Sequence, residues 1–209
     1  MNSLVTQFVR RASTLVGREK SGPGLMANNT LTVTLFGATG FMGKYVSELL
    51  ALCGARVYIP YRGCDSEVRD LKVAYDHGRC GTIPFSPRDR ESVQFALDRS
   101  DVVVNMIGKQ YDTKHLIPTR REDGKLSRVN YSMQETNAEI PRRLAKWSRE
   151  SGVERFIHVG ALCSNPNSNS IFARTKYEGE QAVKEEFLKS TIVRPATCFG
   201  MWDRFITRF

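Results

Sequence analysis

Apolar and polar positions alternate along the chain in short blocks. Residues 31–36, "LTVTLF", are apolar and β-branched, which predicts a buried strand. Residues 41–53 follow with helical spacing, and Gly54 stands after them as a stop. "RVYIPY" at 56–61 predicts a second strand, and a polar helical stretch follows over about 65–76. "GTIPF" at 81–85 predicts a third strand, with Pro84 pointing to a strand end. Asp89 can cap a helix over 90–99, and "DVVVNMIG" at 101–108 predicts a fourth strand. Residues 109–126 are polar, contain Pro118 and Gly124, and predict a long loop. The next helix begins near either 128 or 139 and runs to 150, with Pro141 suited to a first turn rather than an interior. "RFIHVG" at 155–160 is a fifth strand; a loop, a helix over 171–188 and the strand "TIVRPA" at 191–196 complete the series.

Strands that alternate with helices predict βαβ units. The fold class expected is α/β, a doubly wound parallel sheet of the Rossmann type with helices on both faces. The expected organisation is a single domain over residues 30–209 behind an N-terminal segment, 1–29.

That segment changes the picture of charge. The chain carries a formal net charge of +9, and Arg10, Arg11, Arg18 and Lys20 against Glu19 account for +3 of it. The segment is rich in Ser and Thr and nearly free of acids, with Leu4, Phe8 and Leu15 near one helical face. This is the profile of a mitochondrial targeting segment; the plain alternative is a basic tail. "SGPG" at 21–24 then reads as a linker. The remaining basic residues are scattered, which argues against nucleic acid as a partner. No run of eighteen apolar residues predicts a membrane span, although peripheral contact with a membrane stays open. Five cysteines form no C-x-x-C pair, and the histidines show no ligand spacing, so no metal site is expected.

The chemistry begins after the first strand. "FGATGFMG" places Gly37, Gly40 and Gly43 between a strand and a helix. Gly37 allows a sharp turn, Gly40 a close approach of the backbone to a pyrophosphate, and Gly43 tight packing of helix on sheet. The helix N-terminus then faces the phosphates with unpaired N–H groups. NAD sites place an acid at the end of the second strand to bind the ribose. Here no acid precedes Asp65, and Arg62 occupies the strand end. A guanidinium there suits the 2′-phosphate of NADPH, and Lys44 adds positive charge nearby.

Together with "NMIG", "KYEGEQAV" and "VRPATCFG", this pattern resembles extended and atypical short-chain dehydrogenases. "VYIPYRG", "NAEIPRRLAKWSRESGVERFIHV" and "DRF" at 203–205 are similar to one branch of them, the NADPH-binding accessory subunits of mitochondrial respiratory complex I. The resemblance runs over about 31–209. It implies that Gly37, Thr39, Gly40, Phe41, Met42 and Gly43 line the pyrophosphate and that Arg62 meets the 2′-phosphate. It implies that Asn105, Ile107 and Gly108 flank the path from adenosine to nicotinamide, that Lys176 holds the nicotinamide ribose, and that Pro195 lies near the ring. It also implies a place among the matrix-arm subunits of complex I, on the matrix side of the inner membrane, with NADPH as a tightly bound structural cofactor supporting assembly or stability.

Three departures from the family qualify this. Ser86 and Pro87 precede Arg88 where extended members often carry an Asp for adenine. Relatives continue well past this point, so the C-terminal substrate region is expected to be absent or truncated. Most important, such enzymes use Tyr-x-x-x-Lys, whose i, i+4 spacing sets both side chains on one helix face. Here Phe172 stands four residues before Lys176, and a phenyl ring has no proton to give. Tyr177 points about 100° away round the helix. Gly160 and Ala161 stand where an orienting hydroxyl is expected; Ser164 is the nearest substitute. A non-catalytic, cofactor-binding subunit is therefore expected. The competing readings are an atypical reductase that uses Lys176 as its acid, and a nucleic-acid-binding relative.

Overall fold

The structure, a computed structural model, describes residues 31–63, 65–112, 131–201 and 203. The targeting-like segment, most of the expected loop over 109–126, the helix start near 128 and most of "DRF" lie outside the described residues.

Six parallel strands form one sheet in the order β3-β2-β1-β4-β5-β6. They are β1 (Thr32–Phe36), β2 (Arg56–Tyr61), β3 (Cys80–Pro84), β4 (Val102–Asn105), β5 (Arg155–Val159) and β6 (Thr191–Val193). The helices are α1 (Phe41–Leu52), α2 (Ser66–Val73), α3 (Arg90–Leu97), α4 (Ile140–Glu150) and α5 (Ile171–Glu186). The doubly wound parallel sheet expected from the alternation is the fold observed.

Each face of the sheet carries its own core. Leu50 of α1 and Val68 and Leu71 of α2 pack with Val33, Leu35, Val57, Ile59, Val102 and Val104. On the other face, Val93 and Leu97 of α3, Ile140 and Leu144 of α4 and Val183 of α5 pack with Phe36, Val103 and Phe156. Central strands buried from both sides explain why β1 and β4 read as nearly continuous apolar runs. Thr34 is wholly buried in β1, and its hydroxyl donates to the Ala96 carbonyl at 2.9 Å.

Prolines and short polar side chains set where the elements stop. Pro84 is the last residue of β3, an edge strand, as its missing N–H requires. Pro60 lies inside β2, but the β1–β2 pairing ends at Thr34↔Tyr58, so no ladder bond to β1 is lost. The fourth strand ends at Asn105, short of 108. Asn105 Oδ1 accepts the Ile107 N–H at 3.0 Å and turns the chain there. Asp89 caps α3, accepting the Glu91 N–H at 3.1 Å. α4 is preceded by a π-helical turn, Glu135–Glu139, so Pro141 sits early in α4 but inside a longer helical run. The π turn accommodates it, with the Ile140 N–H bonded back to Glu135 and no N–H from Pro141 to return to Asn137.

Candidate functional site

The loops after β1, β4, β5 and β6 meet at the carboxyl edge of the sheet, where ligands bind in doubly wound folds. Gly37 leaves β1 with φ +84, and a Cβ there would meet the Met106 carbonyl carbon at 2.9 Å and the Ile107 nitrogen at 3.0 Å. Only glycine satisfies both the dihedral and the contact. Gly40 is the N-cap of α1, exposed, and its N–H donates to the Gly37 carbonyl at 3.1 Å. A Cβ on Gly43 would run into the Gly37 carbonyl and the Ala38 backbone, so the first turn of α1 lies directly on the loop. No side chain caps α1 and no acid stands in its first turn, which leaves its N–H groups facing outward for an anion. Thr39 is exposed in the turn, and Met42 is half-buried in the first turn of α1. The Phe41 ring packs edge-on against Tyr45 at 5.6 Å, with Gly200 of the segment after β6 against both rings.

Lys176 of α5 approaches the same edge. It is 6% exposed, and its ammonium donates to the Val159 carbonyl at 3.4 Å. Gly108 makes room for it: a Cβ there would lie 2.7 Å from Nζ. Burial pulls the Lys176 pKa down from 10.5 to about 8, with Glu180 and Cys163 opposing that shift. Ile107 packs against the core beneath, and the Pro195 carbonyl accepts the Leu162 N–H at 2.9 Å, tying the segment after β6 to the loop after β5. Asn105 stands at the strand end, but its amide is taken up inside the fold. It faces His158 Nδ1 at 3.2 Å as well as the Ile107 N–H. His158 is wholly buried, and burial first, then the Lys176 charge, brings its pKa down from 6.5 to about 3. The neutral ring then accepts from Asn105 at Nδ1 and carries its proton on Nε2, which has no partner among the described residues.

The positions expected to carry a phenol and an orienting hydroxyl hold other groups. Phe172 is half-buried one turn before Lys176. Ser164 Oγ donates to Glu180 Oε1 at 2.8 Å and is thereby committed to a structural bond. Glu180 is wholly buried, and its Oε2 accepts from Arg194 Nε at 2.9 Å and Nη2 at 2.6 Å. The same carboxylate occupies the space a side chain at Gly160 would need. Where an orienting hydroxyl is expected, the fold holds an ion pair.

Arg62 lies apart from this cluster, at the end of β2. Its guanidinium sits over the Tyr131 ring, 5.0 Å from the centroid. The Asp65 carboxylate is engaged within α2, at 3.4 Å from Arg69 Nε and 3.7 Å from Lys72 Nζ. The Glu67 carboxylate folds back against Gly63. The end of β2 thus carries an arginine, where the sequence shows no acid before Asp65.

The sequence places Glu180 in the "KYEGEQAV" motif, four residues after Lys176, without giving it a buried role, and it does not single out Asn137. Asn137 is wholly buried in the π turn. Its Oδ1 accepts the Lys109 N–H at 2.9 Å, and its amide donates to the Lys109 carbonyl at 2.9 Å and to Thr175 Oγ1 at 3.1 Å. Gly179 fits against the Asn137 carbonyl. The available signals were Gly179 beside Glu180, and Pro141 four residues after Asn137.

Among known proteins, this chain is 37% identical over 180 residues to the mouse (Mus musculus) protein "NADH dehydrogenase (ubiquinone) 1 alpha subcomplex subunit 9, mitochondrial", a match covering 86% of this chain and 44% of that protein. It is 37% identical over 206 residues to "NADH-ubiquinone oxidoreductase 40 kDa subunit, mitochondrial" of Neurospora crassa, covering 95% of this chain and 51% of that one. The chain thus spans about half the length of the curated relatives it matches. Its fold is similar to that of the UDP-glucuronic acid 4-epimerase of Bacillus cereus, solved with NAD, at a TM-score of 0.61 and 17% identity, covering 83% of this chain and 59% of that one. Residues 33–209, from the first buried strand through the segment after β6, match the NAD dependent epimerase/dehydratase family, and to that family this chain belongs.

Proposed function

We propose that this chain binds NADPH as a structural cofactor without turning it over, as an accessory subunit of mitochondrial complex I on the matrix side of the inner membrane. The observation that carries the reading is the combination at α5. Lys176 is kept and buried at the cofactor edge, while Phe172 supplies no proton and Glu180 fills the place of the orienting hydroxyl. The glycine loop, with Gly37, Thr39, Gly40, Phe41, Met42 and Gly43, would hold the pyrophosphate, and Arg62 the 2′-phosphate. Ile107, Gly108, Lys176 and Pro195 would line the nicotinamide half, with Asn105 shaping the turn beneath them. A bound nucleotide stabilises the fold by mass action, which suits a brace within a larger assembly. The similarity to named complex I subunits supports the assembly, and with it partners among the other subunits of the matrix arm. No helix among the described residues is long and apolar enough to cross a membrane, in keeping with a peripheral place.

The test is a native gel of mitochondria in which this chain is tagged, followed by mass spectrometry of nucleotide extracted from the band. Co-migration with complex I and recovery of NADPH are expected. Migration as a free protein, or a band without NADPH, would count against the reading.

A second reading is an active reductase: Lys176 is buried at the sheet edge beside Gly108 and the Val159 carbonyl, and burial brings its pKa down to about 8, which suits a proton donor close to neutral pH. Steady NADPH oxidation with a carbonyl or alkene substrate, abolished by Lys176→Ala, would establish that reading over the first.

A further inference from the structure

We propose that Arg88 is a second specificity-determining residue for nucleotides bearing a 2′-phosphate, acting beside Arg62; the proposal rests on the NADPH reading above. β2 and β3 are adjacent, and their ends pair at Tyr61↔Pro84. Arg62 and Arg88 follow those ends and converge on one ring, their guanidinium carbons 5.0 and 4.8 Å from the Tyr131 centroid. Tyr131 is only 5% exposed, belongs to the core, and has its carbonyl held by Lys109 Nζ at 2.6 Å. The ring is a fixed platform, and each guanidinium gains by lying over it.

Arg88 is further locked by Glu135. Nε donates to Oε1 and Nη2 to Oε2, both at 2.7 Å, in a bidentate fork. This uses two of its three nitrogens, and Nη1 has no partner among the described residues. The preceding loop is also fixed: Pro87 is buried, and the Ser92 hydroxyl lies 3.2 Å from the Ser86 nitrogen. Glu135 holds the Arg88 fork at the strand ends, and a 2′-phosphate there would meet the remaining Nη1. Because Arg88 is already ordered, contact with a ligand costs little side-chain entropy. Glu135 is then a positioning residue, and the adenosine end is read by arginine where an Asp is missing.

The experiment measures binding of 2′,5′-ADP and 5′-AMP to the full chain by calorimetry, in the wild type and in Arg88→Met and Arg88→Lys. The two probes differ only in the 2′-phosphate. The wild type should prefer 2′,5′-ADP. Arg88→Met should lower that preference about tenfold, the loss of one charge-assisted contact, with 5′-AMP affinity unchanged. Arg88→Lys, which keeps a charged partner for Glu135 and so guards against misfolding, should recover only part of it. An unchanged preference in both variants overturns the proposal, and so does equal weakening of both probes. A wild type that binds neither probe overturns the nucleotide reading itself, which separates the two failures.

Discussion

The carboxylate of Glu180 fills the space that a side chain on Gly160 would require. One residue lies at the end of β5 and the other in α5, and each explains the other. Glycine at 160 is what lets a buried carboxylate sit there, and the carboxylate is held in place by Ser164 and Arg194. A hydroxyl cannot be restored at 160 without displacing a charged group from a closed site.

Phe172→Tyr should therefore give no measurable carbonyl reduction, and Gly160→Ser with it should not either. The double variant should be less stable than Phe172→Tyr by about 1–3 kcal/mol, the range for overpacking a filled site. NADPH oxidation with a panel of aldehydes and ketones, together with urea unfolding, checks both halves. Reduction by Phe172→Tyr alone would show that the loss of chemistry lies in a single residue.

Glu180→Gln keeps the volume but removes the charge that Arg194 and Ser164 share. Arg194 is 43% exposed and can be rehydrated, but buried Lys176 also loses the charge that opposes its desolvation, so the loss should be about 3 kcal/mol. Limited proteolysis should then cut more readily in the segment after β6, since Arg194 ties it to α5. A protease pattern identical to the wild type's would show that the pair does not hold that segment.

His158 makes the fold acid-sensitive. Its folded pKa is depressed to about 3 from 6.5, so between these values the unfolded chain binds a proton that the folded chain refuses. Its contribution is intact above about pH 6.5 and falls away as the pH drops toward 3, on the order of 5 kcal/mol over that window. His158→Gln should flatten the stability profile between pH 6.5 and 4, measured by urea midpoints. A profile as steep as the wild type's would assign the acid limb to other groups.

Lys176 acts in the opposite pH range. Its pKa falls to about 8 from 10.5, so the folded state carries a desolvation penalty below pH 8 that disappears as the pH rises toward 10.5. Lys176→Met should stabilise the free protein at pH 7 by up to about 3 kcal/mol, with the gain shrinking toward pH 10. The same variant should bind NADPH less tightly, so thermal melts with and without nucleotide should move in opposite directions. A destabilised free protein would mean that the ammonium is held by more favourable bonds than the Val159 carbonyl supplies.

The order of strands and helices was legible because it depends on periodicity, which is local. A strand buried on both faces is apolar along most of its length, as in β1 and β4, and a loop that turns sharply under a helix must carry glycine at 37 and 43. The pairing of Phe172 with Lys176 was legible for the same reason, since the two lie one helical turn apart. Elements whose ends depend on distant partners were less so. β4 stops early because Asn105 turns its amide onto the Ile107 N–H, and the π turn before α4 answers both to Pro141 and to the close packing of Gly179.

The sequence by itself determined the alternation of elements, the glycine loop, the arginine after β2 and the phenylalanine four residues before Lys176. Only the tertiary structure decided which side chains meet at the site. It set Glu180 against Gly160, His158 beside Asn105, and Arg62 and Arg88 over Tyr131, residues separated by 20 to 70 positions in the chain. The physical reason is that burial and charge pairing act through space. Their partners are chosen by how strands and helices pack, and no spacing along the chain records that choice.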